Sequence, residues 1–160
     1  MQTSYSYNTP IGAAGGIVDL APHYIYSFTN EENTGVMGFG LGVVKGTTAG
    51  STVKLPVAGS GATDFEGIVT NGRTTELDLE GALSLRKNCA LGVMRYGTIY
   101  AVLADGAEPA YGKAVYLVKS GEDAGKFTDS SSSTLAIKGR FLSGADNGVA
   151  IVELFNQAQS

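Results

Sequence analysis

The sequence predicts an all-β fold: a single small β-barrel or a sandwich, with a jelly roll among the possible topologies. Three observations support this prediction. Gly contributes 23 of the 160 residues and Pro only 4, a composition typical of a chain with many turns and bends. Short apolar runs alternate with clusters of Gly, Ser, Thr and Asn along the chain. No segment sustains the 3.6-residue periodicity of an amphipathic helix.

The size and charge of the chain restrict its class. A mass of 16.5 kDa fits one domain, large enough to bury a core without disulfides or metal. The net charge of -4 and the scattered distribution of the 11 Lys and Arg residues argue against nucleic acid as a partner. The single Cys89 has no nearby His to activate it, so we predict a structural thiol.

The N-terminal sequence MQTSYSY has neither the basic region nor the apolar core of a secretory signal. No apolar run approaches the roughly 18 residues of a membrane helix. We therefore expect a soluble protein, made in a cytoplasm, with no membrane partner.

The first 30 residues differ from the rest of the chain. Four aromatic residues, Tyr5, Tyr7, Tyr24 and Tyr26, flank the small-residue stretch 11–18, IGAAGGIV, whose glycines disfavour regular structure. Tyrosines with a polar tip suit burial against a neighbouring subunit. We predict an extended N-terminal arm over residues 1–30 and a β-barrel or sandwich domain over residues 31–160. The alternative is a terminal strand packed on its own barrel. The candidate interface residues are Tyr5, Tyr7, Ile11, Ile17, Val18 and Leu20.

Four strands are predicted in the first half of the β domain. Residues 35–45 (GVMGFGLGVVK) alternate bulky residues with glycines, each of which costs about 1 kcal/mol in a helix relative to Ala. Further apolar runs occupy 53–57, 65–70 and 77–85. Asn71-Gly72 is a strong turn signal.

The second half contains the clearest strand. Residues 91–104 (LGVMRYGTIYAVLA) carry apolar groups on both alternating faces, so both faces are expected to be covered. Asp105-Gly106 predicts a turn, and 114–119 a further strand. Two final strands, 135–142 and 149–155, are expected to form a hairpin around the glycine-rich turn between them.

The sequence offers little for catalysis. His23 is the only histidine, so a triad would depend on one ring, and one His with one Cys cannot supply the usual zinc ligands. We predict no catalytic residue, no metal site and no cofactor. Four carboxylate pairs remain candidates for a glycosidase or calcium site, although we expect solvated surface. These pairs are Glu31 with Glu32, Asp64 with Glu66, Asp78 with Glu80, and Glu122 with Asp123.

Several segments resemble the structural cement proteins of tailed-phage capsids. The likeness begins in 39–56 (FGLGVVKGTTAGSTVKLP) and 65–69 (FEGIV). It continues, in consistent order, through 92–101 (GVMRYGTIYA), 111–116 (YGKAVY), 125–128 (GKFT) and 139–150 (GRFLSGADNGVA). Together the likeness spans about three quarters of the chain, and each segment alone is ordinary strand-and-turn sequence.

The resemblance implies a non-enzymatic virion protein on the outer surface of the capsid, synthesised in the bacterial host. Its partners would be the major capsid protein and itself, as a homodimer or homotrimer, and it would clamp adjacent capsomers. Two alternatives stay open. One is a tail- or vertex-associated β domain that binds a receptor or adaptor, and the other is a carbohydrate-active enzyme that uses a carboxylate pair.

Overall fold

The computed structural model describes residues 12–19, 21–71 and 84–155. Within them the fold is all-β, as predicted, with one short 3-10 helix at Ala62–Asp64. The strands are β1 (Tyr24–Asn30), β2 (Gly42–Lys45), β3 (Thr52–Lys54), β4 (Phe65–Val69), β5 (Ala90–Val102), β6 (Ala114–Val118), β7 (Phe127–Thr128), β8 (Thr134–Phe141) and β9 (Val149–Leu154).

The first five strands form a closed barrel. They follow the order β1-β3-β2-β4-β5, and an additional antiparallel pairing of β1 with β5 closes the ring. The barrel contains one of the two hydrophobic cores of the protein. Its buried side chains are Phe28, Met37, Val43, Val53, Val69, Leu85, Leu91 and Val93. The predicted small β-barrel is therefore confirmed, and it carries additional strands.

The additional strands form a second sheet on the same long strand. β5 spans 13 residues; its first half belongs to the barrel, and its second half pairs with β9. The order then continues through β8, β6 and β7. Phe127 of β7 forms a parallel bridge with Leu103, the residue that follows β5, and the Ala104 N–H donates to the Phe127 carbonyl at 2.8 Å. The second sheet thus curls back toward its own first strand.

The larger core lies between the barrel wall and this sheet. The barrel contributes outward-facing Val44, Phe65, Ile68 and Met94, and the second sheet contributes side chains of β5 to β9. Val93 lies in the barrel core whereas its neighbour Met94 lies in the larger core. Both faces of β5 are therefore covered, as its sequence predicts.

The strand predictions hold best in the second half. Predicted strands at 91–104, 114–119, 135–142 and 149–155 correspond to β5, β6, β8 and β9. In the first half, the prediction for 65–70 matches β4, and that for 53–57 overlaps the end of β3. The prediction for 35–45 was too long, because only Gly42–Lys45 is a strand. Gly40, with φ of +77°, turns the chain just before it. The sequence did not predict the two-residue β7, and residues 77–83 lie outside the described part of the chain.

The boundary expected after residue 30 differs from the structure. Tyr24–Asn30 is β1, which pairs antiparallel with β5 and parallel with β3. Phe28 anchors this strand because its ring is buried in the barrel core. For these residues, the open alternative of a strand packed on its own barrel is the observed arrangement.

The segment 12–19 lies along the edge of β5 that β9 leaves free. The Gly15 N–H donates to the Tyr100 carbonyl at 2.8 Å, and the Tyr100 N–H donates to the Gly16 carbonyl at 3.0 Å. Ile17 forms an antiparallel bridge with Ile99. This segment therefore covers a strand edge that would otherwise present unpaired backbone groups.

Candidate interaction surface

Two exposed tyrosines meet where the barrel joins the second sheet. The antiparallel register of β1 and β5 sets Tyr24 opposite Tyr96. Their ring centroids lie 5.4 Å apart with an interplanar angle of 36°. Tyr24 is 55% exposed and Tyr96 37% exposed. The pair presents aromatic area that the fold itself does not bury.

Beside this pair, charged groups cover one part of the barrel wall. The Arg95 guanidinium lies 4.7 Å from the ring centroid of Tyr26 and 5.2 Å from that of Phe28. It also forms an ion pair with Glu66 of β4. Because both charged side chains are largely buried, the pair needs this mutual neutralisation.

A second polar and aromatic group crosses the second sheet. Glu153 of β9 lies opposite both Thr98 of β5 and Arg140 of β8. The Arg140 Nε donates to the Glu153 Oε2 at 3.0 Å, and this contact raises the pKa of Arg140. The Arg140 guanidinium also lies 5.4 Å from the Tyr111 ring centroid, and Tyr111 is 70% exposed.

Thr98, Glu153 and Arg140 project to one side of the second sheet, because directly paired residues of adjacent strands do so. The opposite side is occupied by Ile99 and Val152, which are fully buried in the larger core. A cleft of about 120 Å³ lined in part by Tyr96, Thr98 and Glu153 joins the two groups. The surface is called the tyrosine stripe, and its residues are Tyr24, Tyr96, Thr98, Glu153, Arg140 and Tyr111.

The loop that carries Tyr111 is held by Asp129. One carboxylate oxygen accepts the Glu108 N–H at 3.0 Å, and the other accepts the Lys113 Nζ at 2.8 Å. Lys113 also donates to the Glu108 carbonyl at 2.6 Å. The Lys113 hydrogen bond, followed by the Glu108 N–H, lowers the pKa of Asp129. Tyr111 is therefore exposed on a braced loop.

Comparison with known proteins identifies the family. The model of the family described as structural cement protein (E217 gp24/Pam3 gp6) matches residues 1–155. The chain belongs to this phage cement family. Membership identifies a structural, capsid-associated component of a phage virion, and it confirms the resemblance found in the sequence.

A solved structure has the same fold. A chain of the capsid of Myoviridae Phage XM1 superimposes with a TM-score of 0.73 over 96% of each chain, at 19% identity. No curated protein matches the sequence. At this identity, the superposition shows the fold alone.

The predicted interface residues of this cement protein are only partly described. Ile17 is 41% exposed, and the Val18 N–H donates to the Thr98 carbonyl at 3.3 Å. The backbone at Ile17 and Val18 is thus docked on the chain's own β5. Tyr5, Tyr7, Ile11 and Leu20 lie outside the described residues, and their role stays a prediction.

Sequence reasoning missed most of the tyrosine stripe. Tyr24 stood out as one of the aromatic residues of the first 30, but Tyr96, Tyr111 and Arg140 did not. Tyr96 shows a usable signal, since an aromatic residue in the middle of an alternating strand next to Gly97 marks an irregular, partly open position. Arg140 and Tyr111 have no such local signal.

The Asp64 and Glu66 carboxylates bind different cations. Asp64 pairs with Lys45 at 2.7 Å and accepts the Gly61 N–H at 2.8 Å, whereas Glu66 pairs with Arg95. The Lys45 hydrogen bond, followed by that of Gly61, lowers the pKa of Asp64. A glycosidase acid requires the opposite, a raised pKa. In this cement protein, each of the two carboxylates instead forms an ion pair that stabilises the barrel wall.

Carboxylates of two other pairs accept hydrogen bonds from backbone N–H groups or form an ion pair with Lys. Both Glu31 carboxylate oxygens accept the Thr47 N–H at 2.9 Å, and Glu32 accepts the Leu55 N–H at 2.9 Å. Asp123 pairs with Lys126 at 2.8 Å. Asp78 and Glu80 lie outside the described residues.

Within 12–19, 21–71 and 84–155, no group of three His, Cys, Asp or Glu side chains is placed to hold a metal ion. In the same part of the chain, no helix is long and apolar enough to cross a membrane.

Proposed function

We propose that this cement protein binds the outer surface of the assembled major capsid lattice and clamps adjacent capsomers. The observation that carries the proposal is the family match over residues 1–155. The fold supports it: two hydrophobic cores share the long strand β5, and the surface presents aromatic and polar groups.

A clamp of this kind stabilises a shell without chemistry. Binding the assembled lattice more tightly than free capsid subunits shifts the assembly equilibrium toward the intact particle. If two or more linked copies each contact a different capsomer, the effective concentration of the second contact increases overall affinity although each contact is modest.

The N-terminal segment is the proposed capsid contact. Its candidate residues are Tyr5, Tyr7, Ile11, Ile17, Val18 and Leu20. Gly12 packs against the Tyr100 ring, so the eleven residues before it start from the surface of the second sheet. At about 3.3 Å per residue, eleven residues measure at most about 36 Å when fully extended, which sets the upper limit for the reach of this contact.

The direct test is co-sedimentation with capsids that lack the cement protein. We expect Ile17→Ser and the double substitution Tyr5→Ala with Tyr7→Ala to reduce the bound fraction several-fold, because each removes apolar contact area. Val57→Ser is the matched control, since Val57 is also an exposed aliphatic residue, 52% exposed, but lies between β3 and the 3-10 helix. Equal binding of all variants would exclude the arm as the contact.

Copy number in purified virions tests the lattice-wide role. A ratio to the major capsid protein of one, or of a simple fraction, supports a cement that covers the lattice. A handful of copies per particle would instead favour the tail- or vertex-associated alternative.

A further inference from the structure

We propose that residues 12–19 form a strap that detaches from β5 while the rest of the fold stays intact, and that its release lengthens the N-terminal arm. The detachment concerns the protein by itself, whereas the role of the release on the capsid rests on the proposed function. Such a strap would hold the arm close to the protein until a capsid surface binds it.

Backbone hydrogen bonds attach the strap. In the described part of the chain, four of them join it to the rest of the fold, and each contributes little net stability because it replaces a bond to water. Three involve β5: the Gly15 N–H to the Tyr100 carbonyl at 2.8 Å, the Tyr100 N–H to the Gly16 carbonyl at 3.0 Å, and the Val18 N–H to the Thr98 carbonyl at 3.3 Å. The fourth joins the Asn71 N–H to the Gly15 carbonyl at 2.7 Å.

The side chains of the strap add little to this attachment. Neither hydrophobic core includes a side chain from residues 12–19. Ile17 is 41% exposed although its backbone pairs with Ile99. The Asp19 carboxylate accepts the Thr98 hydroxyl at 3.5 Å, a long and exposed hydrogen bond. A segment with few buried apolar contacts is the kind that opens locally, without unfolding of the whole protein.

The sequence of the strap also favours release. Three of its eight residues are glycine and two are alanine. Glycine loses more conformational freedom on ordering than any other residue, so the strap regains much of that freedom when it detaches. Detachment uncovers the edge of β5, and the unpaired backbone groups there favour the docked strap in the protein alone. Opening the strap should therefore require less free energy than unfolding the whole protein.

β1 sets the end of the detachable segment. Its antiparallel pairing with β5 starts at Tyr24 opposite Tyr96, and its Phe28 ring is buried in the barrel core. Just before β1, His23 packs against Gly97. Once the strap is released, the chain before His23 can extend to about 73 Å, against about 36 Å for the part before the strap. A capsid site beyond the shorter distance binds only the detached state and shifts the population toward it.

Native-state hydrogen exchange of the full-length protein tests the detachment. Successive amides of β5 point to opposite neighbours: the Tyr100 N–H bonds to the strap, whereas those of Ile99 and Ala101 face β9. We expect protection factors of the Tyr100 and Val18 amides at least about tenfold lower than those of Ile99 and Ala101, and insensitive to low denaturant concentrations. Equal protection of Tyr100 and its two neighbours would overturn the proposal, because the strap would then open only with the whole fold.

The variant Gly15→Ala connects the fast exchange to the strap. An added Cβ atom would lie 2.7 Å from the backbone nitrogen of Asn71, so the alanine disfavours docking. We expect the protection of Tyr100 to fall by about a further tenfold while that of Ile99 is retained. Gly50→Ala is the matched control, since Gly50 has nearly the same φ, +78° against +76°, with no atom within 4 Å of its added Cβ. Equal losses at Tyr100 and Ile99 would show that the strap and the fold open together, and would overturn the proposal.

Co-sedimentation with capsids that lack the cement protein tests the role of the release. We expect Gly15→Ala to increase the apparent affinity several-fold, because a larger fraction of the protein has the detached arm, and Gly50→Ala to leave it unchanged. Weaker or unchanged binding of Gly15→Ala, together with its lower protection at Tyr100, would overturn this role. Fast exchange at Tyr100 in a protein that does not bind capsids would support the detachable strap and refute the proposed function.

Discussion

Gly97 packs directly against His23 at the point where β5 passes from the barrel to the second sheet. A Cβ atom on Gly97 would lie 2.6 Å from the His23 Cβ, and Gly97 has a φ of +125°. Both the contact and the dihedral exclude a side chain. We expect Gly97→Ala to lower the free energy of unfolding by about 2–4 kcal/mol, measured by chemical denaturation.

Two glycine variants are the controls for this prediction. Gly106 has a φ of +76° with no atom within 4 Å of its added Cβ, so Gly106→Ala should show only the backbone cost of about 1–2 kcal/mol. Gly59 has neither a positive φ nor an atom within 4 Å of its added Cβ, and Gly59→Ala should therefore leave the stability almost unchanged. A loss at Gly97 no larger than that at Gly106 would mean that β5 shifts to relieve the contact.

The Glu66–Arg95 pair should contribute more than the exposed ion pairs. The two side chains are only 16% and 23% exposed, and Arg95 also lies over Tyr26 and Phe28. Glu66→Gln leaves the guanidinium without its counter-ion, and we expect a loss of about 1–3 kcal/mol.

The control for the Glu66 prediction is Glu153→Gln at the more exposed Arg140 pair, which should cost less than about 1 kcal/mol. A double-mutant cycle with Arg95→Met isolates the coupling between the two charges. A coupling near zero would show that Arg95 is held by the aromatic rings alone.

The sequence predicted a strand well only where the pattern that marks it lies within a short run of consecutive residues. β5 was predictable because its alternating apolar faces lie within 13 consecutive residues. β1 was not predictable in this way. Tyr24 and Tyr26 are exposed and suggested an extended arm, and only the Phe28 ring lies in the barrel core. The tyrosine stripe depends on the register of β8 and β9 with β5, which local sequence does not encode.

The protein should lose stability in acid. Hydrogen bonds from Lys126 and Lys113, respectively, lower the pKa values of Asp123 and Asp129 below the ordinary 3.8. A carboxyl with a lowered folded pKa stabilises the fold above its unfolded pKa. This contribution is lost as pH falls through the folded value. We therefore expect constant stability near neutral pH and a decline below about pH 4.

The contribution of one pair to this decline is small, less than about 1 kcal/mol, because Lys113 and Lys126 are partly exposed. Asp129→Asn should reduce stability at pH 7 and flatten the decline between pH 5 and 2, as measured by denaturation at each pH. Asp105→Asn, at an exposed turn, is the control. An unchanged acid profile in Asp129→Asn would mean that other carboxylates cause the decline.

The two hydrophobic cores should unfold together. β5 contributes Val93 to one core and Ile99 to the other, so loss of either core removes the strand that supports the second. Val69→Ala in the barrel core and Val152→Ala in the larger core delete the same two methyl groups from fully buried sites. Each should cost about 2–3 kcal/mol. Calorimetry should show one transition, shifted to lower temperature in both variants. Two transitions, with each variant moving only one, would show that the barrel and the second sheet fold as separate units.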